Sequence, residues 1–430
     1  MIPVLTKQQA YKLDKDTIDS GRLNQEQLMD NAGKAVAQFF CEKLKNPFNE
    51  KVVVVCGKGN NGGDGIITHS YLKKYNVSSK IVFTESKHGH SNLIKKYKIS
   101  KSDYSIYNTK TKFDKYDWII DAIFGIGFSR SLNNKYIKII NEMNCTNQII
   151  SIDINSGLVV DGNSSILFVK AQHTITFNNP KLCHYLYSVK SLSIKDVGLK
   201  VPQYSNLKVI EFSDIKEIID NKKSKINIDK YDSKANVIAG SDKFPGAAIL
   251  SSMSAYKTGS GYVNLLSSFT FNEKISNLIK VNYPDIVVSC NRAYTIPIKQ
   301  FILFGPGIDN VVSKDKMKYY ECDNFEWVID AGGFLSFDNI NEYPENSILT
   351  PHHKEFKTKV FPELFRDLQP GYNQKIDISI FKEVQRIISS RIIILKSFNT
   401  FIITKDIIYI MDKGPSLLAT AGTGDVLSGI

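Results

Sequence analysis

The stretch at 51–56 (KVVVVC) is apolar and largely β-branched after its first residue, and the segment 56–65 that overlaps its end reads CGKGNNGGDG. A run with no polar alternation has no solvent face, so it predicts a strand buried on both sides within a parallel sheet. The glycines allow a backbone to approach a ligand closely, and a helix start behind them favours anions. Residues 65–75 (GIITHSYLKKY) are expected to form that helix. Such a strand, loop and helix unit commits the chain to an open α/β sheet with its ligand at the carboxyl ends of the strands.

The flanking sequence repeats the theme. Leu28, Met29, Ala32, Val36 and Phe39/Phe40 recur at three- and four-residue steps and predict a helix over 24–45. Strands are expected at 81–84, 117–123, 148–154 and 173–177, alternating with helical stretches. Around 213–234 the chain becomes charged and loses its apolar rhythm, which marks a linker between a domain over 1–212 and another over 235–430. In the second part, 235–239 predicts a strand and 246–257 a helix, with further strands at 261–266, 301–304, 327–330, 391–395 and 401–403.

Composition narrows the class. The chain has 430 residues, 42% hydrophobic and 23% charged, enough apolar material for two cores at about 100–200 residues per domain. No apolar run approaches the roughly 20 residues of a membrane span, and the N-terminus turns polar too soon for a signal peptide. Cys41, Cys56, Cys145, Cys183, Cys290 and Cys322 show no CxxC spacing, so neither a zinc knuckle nor a disulfide framework is expected, and a cytoplasmic setting fits. Residues 1–200 carry 28 Lys/Arg against 17 Asp/Glu, whereas 201–430 are nearly balanced. A basic half could attract phosphate-rich ligands. No arginine stripe or RNA-binding aromatic signature accompanies it, so nucleic acid is not the expected partner.

Two places carry chemistry. In the first, Asp64 sits in the glycine-rich loop, Asp121 opens DAIFGIGFSR (121–130) after a strand, and Asp153 lies in SIDINSG (151–157) after the next. Three converging carboxylates could position a polar ligand, hold a cation or transfer protons; alternatively they cap helices and close turns. In the second, TAGTGDVLSGI (420–430) places glycines before a helix start, with Asp425 able to take a proton from a substrate hydroxyl. GSDKFPGAA (240–248), GPG (305–307), TPHHKEF (350–356) and LKSFNT (395–400) complete that set.

The ordered motifs LMDNAG, CGKGNNGGDG, DAIFGIG, SIDINSG, AQHTITFNNPK and DVG within 1–212 resemble the YjeF N-terminal domain, the NAD(P)HX epimerase of nicotinamide nucleotide repair. The resemblance implies a Rossmann-like three-layer fold. It also implies that Asn60, Asn61, Gly62, Gly63, Asp64, Gly125, Ile126, Gly127, Phe128, Ser129, Arg130, Ser131 and Asp153 meet the hydrated dinucleotide. It implies a potassium site at Asn61, Asp121 and Ser156, and leaves open whether Asp121 or Asp153 moves the proton. Asn155 stands where the family usually has proline, and both residues suit a turn.

Residues 235–430 resemble the YjeF-type dehydratase domain with a ribokinase-like fold. By that resemblance Ala247, Gly307, His352 and Asp425 face the hydrated nucleotide. Lys396, Ser397, Phe398, Asn399, Thr400 and Gly424 would hold the adenine nucleotide, expected as ADP with magnesium. Departures fall in this half: only Lys230 matches a His-Lys-Gly stretch, Asp330-Ala331-Gly332 replaces Asp-Ala-Asp, and Ser397 and Asn399 replace glycines. The family continues beyond the position of Ile430, so this half is expected to be incomplete at its C-terminus, with dehydration by this chain left open. A ribokinase-like kinase with a fused binding domain, and a non-enzymatic YjeF-like scaffold, are the alternative readings. Rossmann-like sheets often associate, so a homo-oligomer is a further expectation.

Overall fold

The computed structural model describes residues 1–146, 148–162, 167–202, 205–222, 230, 233–266, 273–289, 300–312, 325–366 and 376–430. The chain divides into two compact units, one from Ile2 to Leu207 with Asp377 and Ile378, the other made of the remainder from Lys208 onward. Among the described residues no helix is long and apolar enough to cross a membrane. Cys290 and Cys322 lie outside the described residues; Cys41, Cys56, Cys145 and Cys183 are free thiols.

The first unit opens with helices α1 (Lys7–Asp19) and α2 (Gln25–Lys43). Each starts on a capping box, Thr6 with Gln9 and Asn24 with Gln27, which satisfies donors that a helix start otherwise leaves free. Then follow β1 (Lys51–Cys56), α3 (Asn60–Lys74), β2 (Ser78–Phe83), α4 (Ser91–Lys96) and β3 (Tyr104–Ile106). After these come β4 (Trp118–Ala122), α5 (Asn134–Asn144), β5 (Ile149–Ile152), β6 (His173–Phe177), the short α6 (Cys183–Leu186) and β7 (Leu192–Lys195). The seven strands form one parallel sheet in the order β3-β2-β1-β4-β5-β6-β7.

Alternate residues of β1 bury on opposite faces, as a period of two requires. Val52 and Val54 pack with Val36 and Phe40 of α2, whereas Val53 and Val55 pack with Ile139, Ile140 and Met143 of α5. All nine are fully buried, each stabilising the unit by about 1.5–3 kcal/mol relative to exposure. The doubly wound architecture expected from the sequence is therefore present, with the strand order reversing direction between β1 and β4.

The glycine-rich stretch differs from its expected form. It is not a loop up to residue 65; α3 begins at Asn60, so Gly62, Gly63 and Gly65 lie inside the helix. A Cβ on Gly65 would stand 2.6 Å from Ala122 Cβ and 2.8 Å from Cys56 Sγ. Glycine there lets α3 press onto β1 and β4 more closely than any side chain would permit.

In the second unit, β8 (Leu207–Val209) leads into α7 (Phe212–Lys222), so the first part of the stretch read as a linker is helical; 223–229 and 231–232 lie outside the described residues. The elements that follow are β9 (Lys234–Ile238), α8 (Pro245–Lys257), β10 (Tyr262–Leu266), α9 (Glu273–Asn282), β11 (Val287–Ser289), β12 (Gln300–Phe304), β13 (Phe325–Ile329) and β14 (Ile348–Leu349). The chain closes with α10 (Ile378–Ile387), β15 (Ile392–Leu395), β16 (Thr400–Ile403), β17 (Ile408–Met411) and α11 (Thr423–Gly429). The strand order is β8-β17-β16-β15-β14-β13-β12-β9-β10-β11, with parallel pairing from β11 to β15 and antiparallel pairing from β15 to β17.

Candidate active sites

The carboxyl ends of β1, β4, β5 and β6 open on a cleft of about 920 Å³. Asn60, Asn61, Asp64, Gly125, Ile126, Gly127, Phe128, Ser129, Arg130 and Asp153 line it, so ten of the residues expected to meet the ligand converge. Gly62, Gly63 and Ser131 are not among the lining residues, and the two glycines face the protein's own atoms. A Cβ on Gly62 would stand 1.9 Å from Gly57 O, and one on Gly63 would stand 2.6 Å from Met29 Sδ. These glycines let the first turn of α3 pack closely without lining the cleft.

Asp153 follows β5 with φ of +61°, a left-handed conformation rare for a residue with a side chain. Its surroundings explain why it holds. Its N–H donates to Ile175 O at 2.7 Å, and its carbonyl accepts from His184 Nε2 at 2.9 Å. His184 Nδ1 accepts from the Lys181 N–H at 3.1 Å, which leaves the proton on Nε2. Burial and the Lys181 ammonium push this imidazole down to about 4, so it stays neutral. The Asp153 carboxylate receives the Lys181 ammonium at 2.5 Å and the Thr176 hydroxyl at 2.9 Å. The Thr176 hydroxyl oxygen accepts from Lys181 Nζ at 2.8 Å. A buried ion pair with its remaining valences satisfied holds one geometry.

Two more carboxyls border the same space. Asp64, in the second turn of α3, is pushed well up by burial, then by the charges of Asp153 and Asp14. Asp14, on α1, is pushed up to about 6 by burial and by Asp153, against an opposing effect of Lys181. Asp14 and Lys181 both line the cleft. Neither was marked in the sequence. Lys181 stands just past the end of β6 in the FNNPK segment, the position where such a sheet presents its functional groups, and that placement was the available signal. Asp14 lies in a helix whose sequence offers no comparable mark.

Asp121 occupies a different position from the one expected of a proton-transfer group. It is fully buried at the end of β4 and is not a lining residue. Its oxygens accept from Ser156 Oγ at 2.6 Å, Ser151 Oγ at 2.8 Å, Ser156 N at 2.9 Å and Ile123 N at 3.2 Å. Burial pushes this carboxyl up and the hydrogen bonds oppose it, with no cation among the groups that shift it. Ser156 Oγ in turn accepts from the Phe124 N–H at 2.9 Å, and Asn61 Nδ2 donates to Phe124 O at 3.0 Å. Asn61, Asp121 and Ser156 thus meet around Phe124. This oxygen-rich cluster with one buried negative charge fits a hard cation.

In the second unit the carboxyl ends of β13 and β15 bring Asp330 and Lys396 together at 2.7 Å. A Cβ on Gly424 would lie 3.5 Å from Lys396 Nζ and 3.9 Å from Asp330 Oδ2. Asp425 is pushed up by burial and by Asp330, with Lys396 opposing. Asp330, Lys396, Gly424 and Asp425 therefore form one cluster. Ala247 and Gly307 form a second contact, since a Cβ on Gly307 would lie 2.6 Å from Ala247 Cβ. Ser397, Phe398 and Asn399 lie on the turn joining β15 to β16, and Thr400 opens β16. His352 caps a single helical turn, its Nδ1 accepting from the N–H groups of Lys354 and Glu355, both at 3.1 Å.

Each unit thus presents carboxylates, glycines and a lysine at the carboxyl edge of a parallel sheet, the layout of an α/β enzyme that handles nucleotides. Residues 25–183 match the family model described as YjeF-related protein N-terminus, and 235–430 the model described as NAD(P)H-hydrate dehydratase. The bifunctional NAD(P)H-hydrate repair enzyme of Dictyoglomus turgidum is 28% identical over 94% of this chain and 83% of its own length. The NAD(P)H-hydrate epimerase of Entamoeba histolytica is 34% identical over 36% of this chain and 71% of its own length. Among solved structures, the ADP/ATP-dependent NAD(P)H-hydrate dehydratase from Bacillus subtilis, crystallised with ATP and Mg2+, is 24% identical over 48% of this chain and 73% of that one, with a TM-score of 0.37. The chain belongs to the family of bifunctional NAD(P)H-hydrate repair enzymes.

Proposed function

We propose that residues 1–212 interconvert the R and S epimers of NAD(P)HX and that residues 235–430 dehydrate S-NAD(P)HX to NAD(P)H with ADP, in a cytoplasmic setting. The observation that carries the first half is the cleft in which Asp64, a carboxyl pushed well up by burial, shares space with Asp153, ion-paired to Lys181 at 2.5 Å. Hydration of an enamine places the hydroxyl on the carbon bonded to nitrogen. Inverting that carbon needs an acid to release the hydroxyl as water and a base to accept a proton from the water that returns. Carboxyls in unlike surroundings can supply both. The segment 125–130, with Phe124 stacked on Phe128 at 4.5 Å, offers an apolar wall for the ring.

Asn61, Asp121, Ser156 and the Phe124 carbonyl would hold a potassium ion, which would supply positive charge to anchor the dinucleotide. Asp121 then acts through Ser156 rather than on the substrate, and Asp153 is the base. In the second half Asp425 takes the proton of the substrate hydroxyl, whose oxygen attacks the terminal phosphorus of ADP. The phosphorus–oxygen bond to AMP breaks, and phosphate then leaves as the neighbouring carbon loses a proton and the ring double bond returns. Lys396 and Gly424 would hold the nucleotide phosphates, and magnesium would supply further positive charge to them.

The test is a chromatographic time course on each separated epimer of NADHX with potassium, magnesium and ADP. Appearance of the opposite epimer supports the first half, and appearance of NADH from the S epimer supports the second. Both epimers persisting at the rate of the protein-free control would refute the reading.

A further inference from the structure

We propose that Asp14, on helix α1, is a catalytic residue of the epimerisation: a second proton carrier that works with Asp153 on the substrate hydroxyl. This rests on the function proposed for the first unit. Four separate elements deliver ionisable groups to the cleft. Asp14 comes from α1, Asp64 from α3, Asp153 from the end of β5 and Lys181 from beyond β6. The lone ammonium among them is committed. Lys181 Nζ donates to Asp153 Oδ1 at 2.5 Å, to Thr176 Oγ1 at 2.8 Å and to Phe177 O at 3.4 Å. Three donors meet three acceptors, so nothing is left to pair with Asp14. Lys15, Asp19, Lys58 and Arg130 line the cleft as well, the last two on the segments expected to hold the dinucleotide.

The division of labour follows from burial. Burial, then the charges of Asp153 and Asp14, push the Asp64 carboxyl well up. Asp14 is half-buried on the cleft wall and titrates at about 6, near enough to neutrality to give and to take a proton. The Asp14 carboxyl gives its proton to the departing hydroxyl, the carbon–oxygen bond breaks, and the ring nitrogen's lone pair forms a carbon–nitrogen double bond. A water adds to the opposite face of that carbon, its oxygen forms the new bond, and the electron pair returns to nitrogen. The Asp153 carboxylate takes the proton which that water loses. The reverse reaction exchanges the two roles, so the active form carries one proton shared by Asp14 and Asp153.

The experiment compares the full chain with Asp14→Asn and Asp14→Glu on separated NADHX epimers, over pH 5 to 9. The wild type is expected to lose kcat/KM on the alkaline side, from about pH 6 upward, because the shared proton is lost there. Asp14→Asn is expected to lower kcat roughly a hundredfold with KM little changed, and to abolish that alkaline limb. Asp14→Glu restores part of kcat and the limb. Thermal melting and retained dehydration of the S epimer show that the variants are folded. An Asp14→Asn protein with wild-type kcat and an unaltered pH profile would overturn the proposal, as would a loss of rate that glutamate and asparagine share equally with the alkaline limb intact. A wild type without epimerisation would instead overturn the function proposed for the unit.

Discussion

Replacing Lys181 by methionine tests the electrostatics of the first unit. The substitution keeps the length of the stem and deletes the ammonium that sits 2.5 Å from Asp153 Oδ1. The lysine side chain is 6% exposed and that of Asp153 12%, so solvent does little to replace the lost partner. Removing one member of a buried pair costs about 3–5 kcal/mol, and the slight access of Asp153 to the cleft points to the lower end. Thr176 and Phe177 O lose a donor as well. Urea unfolding reads the effect. Because the chain has two units, the reporter is confined to one by working in a Trp327→Phe background, which leaves Trp118 of β4 as the lone tryptophan. Lys181→Met is expected to destabilise the Trp118 transition by about 3 kcal/mol at neutral pH, less toward acid pH where the unpaired carboxyl is neutralised. Adding Asp153→Asn to Lys181→Met is expected to recover much of the loss. Lys181 also holds Asp14 down, so its removal moves the titration of Asp14 above about 6. A loss under about 1 kcal/mol, or a double variant no better than the single, would refute the buried-pair reasoning.

The other predictions are shorter. Gly62→Ala sets a methyl 1.9 Å from Gly57 O and 2.8 Å from Gly57 C, against backbone that cannot yield, and is expected to cost about 1–3 kcal/mol and raise KM for NADHX in steady-state epimerisation. Asp121→Asn turns an acceptor into a donor before Ser151 and Ser156; it is expected to destabilise by about 1–3 kcal/mol and to remove the difference in epimerisation rate between potassium and choline buffers. Lys396→Met breaks the 2.7 Å pair with Asp330 and is expected to abolish ADP-dependent formation of NADH while leaving R and S interconversion at the wild-type rate.

What the sequence made legible follows from periodicity. The β-branched run of β1 has no polar alternation, and its buried positions match that pattern on both faces. Asp64, Asp153 and the 125–130 segment stood out because glycines surround them at strand ends. Three things escaped. Helix α3 begins five residues early, since glycines that weaken an isolated helix are here required by close packing on Cys56 and Ala122. Asp121 resembled a catalytic carboxylate by position, yet the serines that enclose it come from residues 151 and 156, and only the fold shows it behind the cleft wall. Asp14 gains its meaning from Asp153 and Lys181, more than 130 residues away in sequence, and Lys181 from Asp153 on the preceding strand end, proximities that no local pattern encodes.

The central claim is that the two activities reside in separate carboxylate sites, Asp153 in the first unit and Asp425 in the second. The most direct measurement follows each pure NADHX epimer with potassium, magnesium and ADP in Asp153→Asn and Asp425→Asn proteins. The account predicts that Asp153→Asn fails to interconvert the epimers yet still forms NADH from S, and that Asp425→Asn interconverts them without forming NADH. Wild-type interconversion in Asp153→Asn, or its loss in Asp425→Asn, would contradict it.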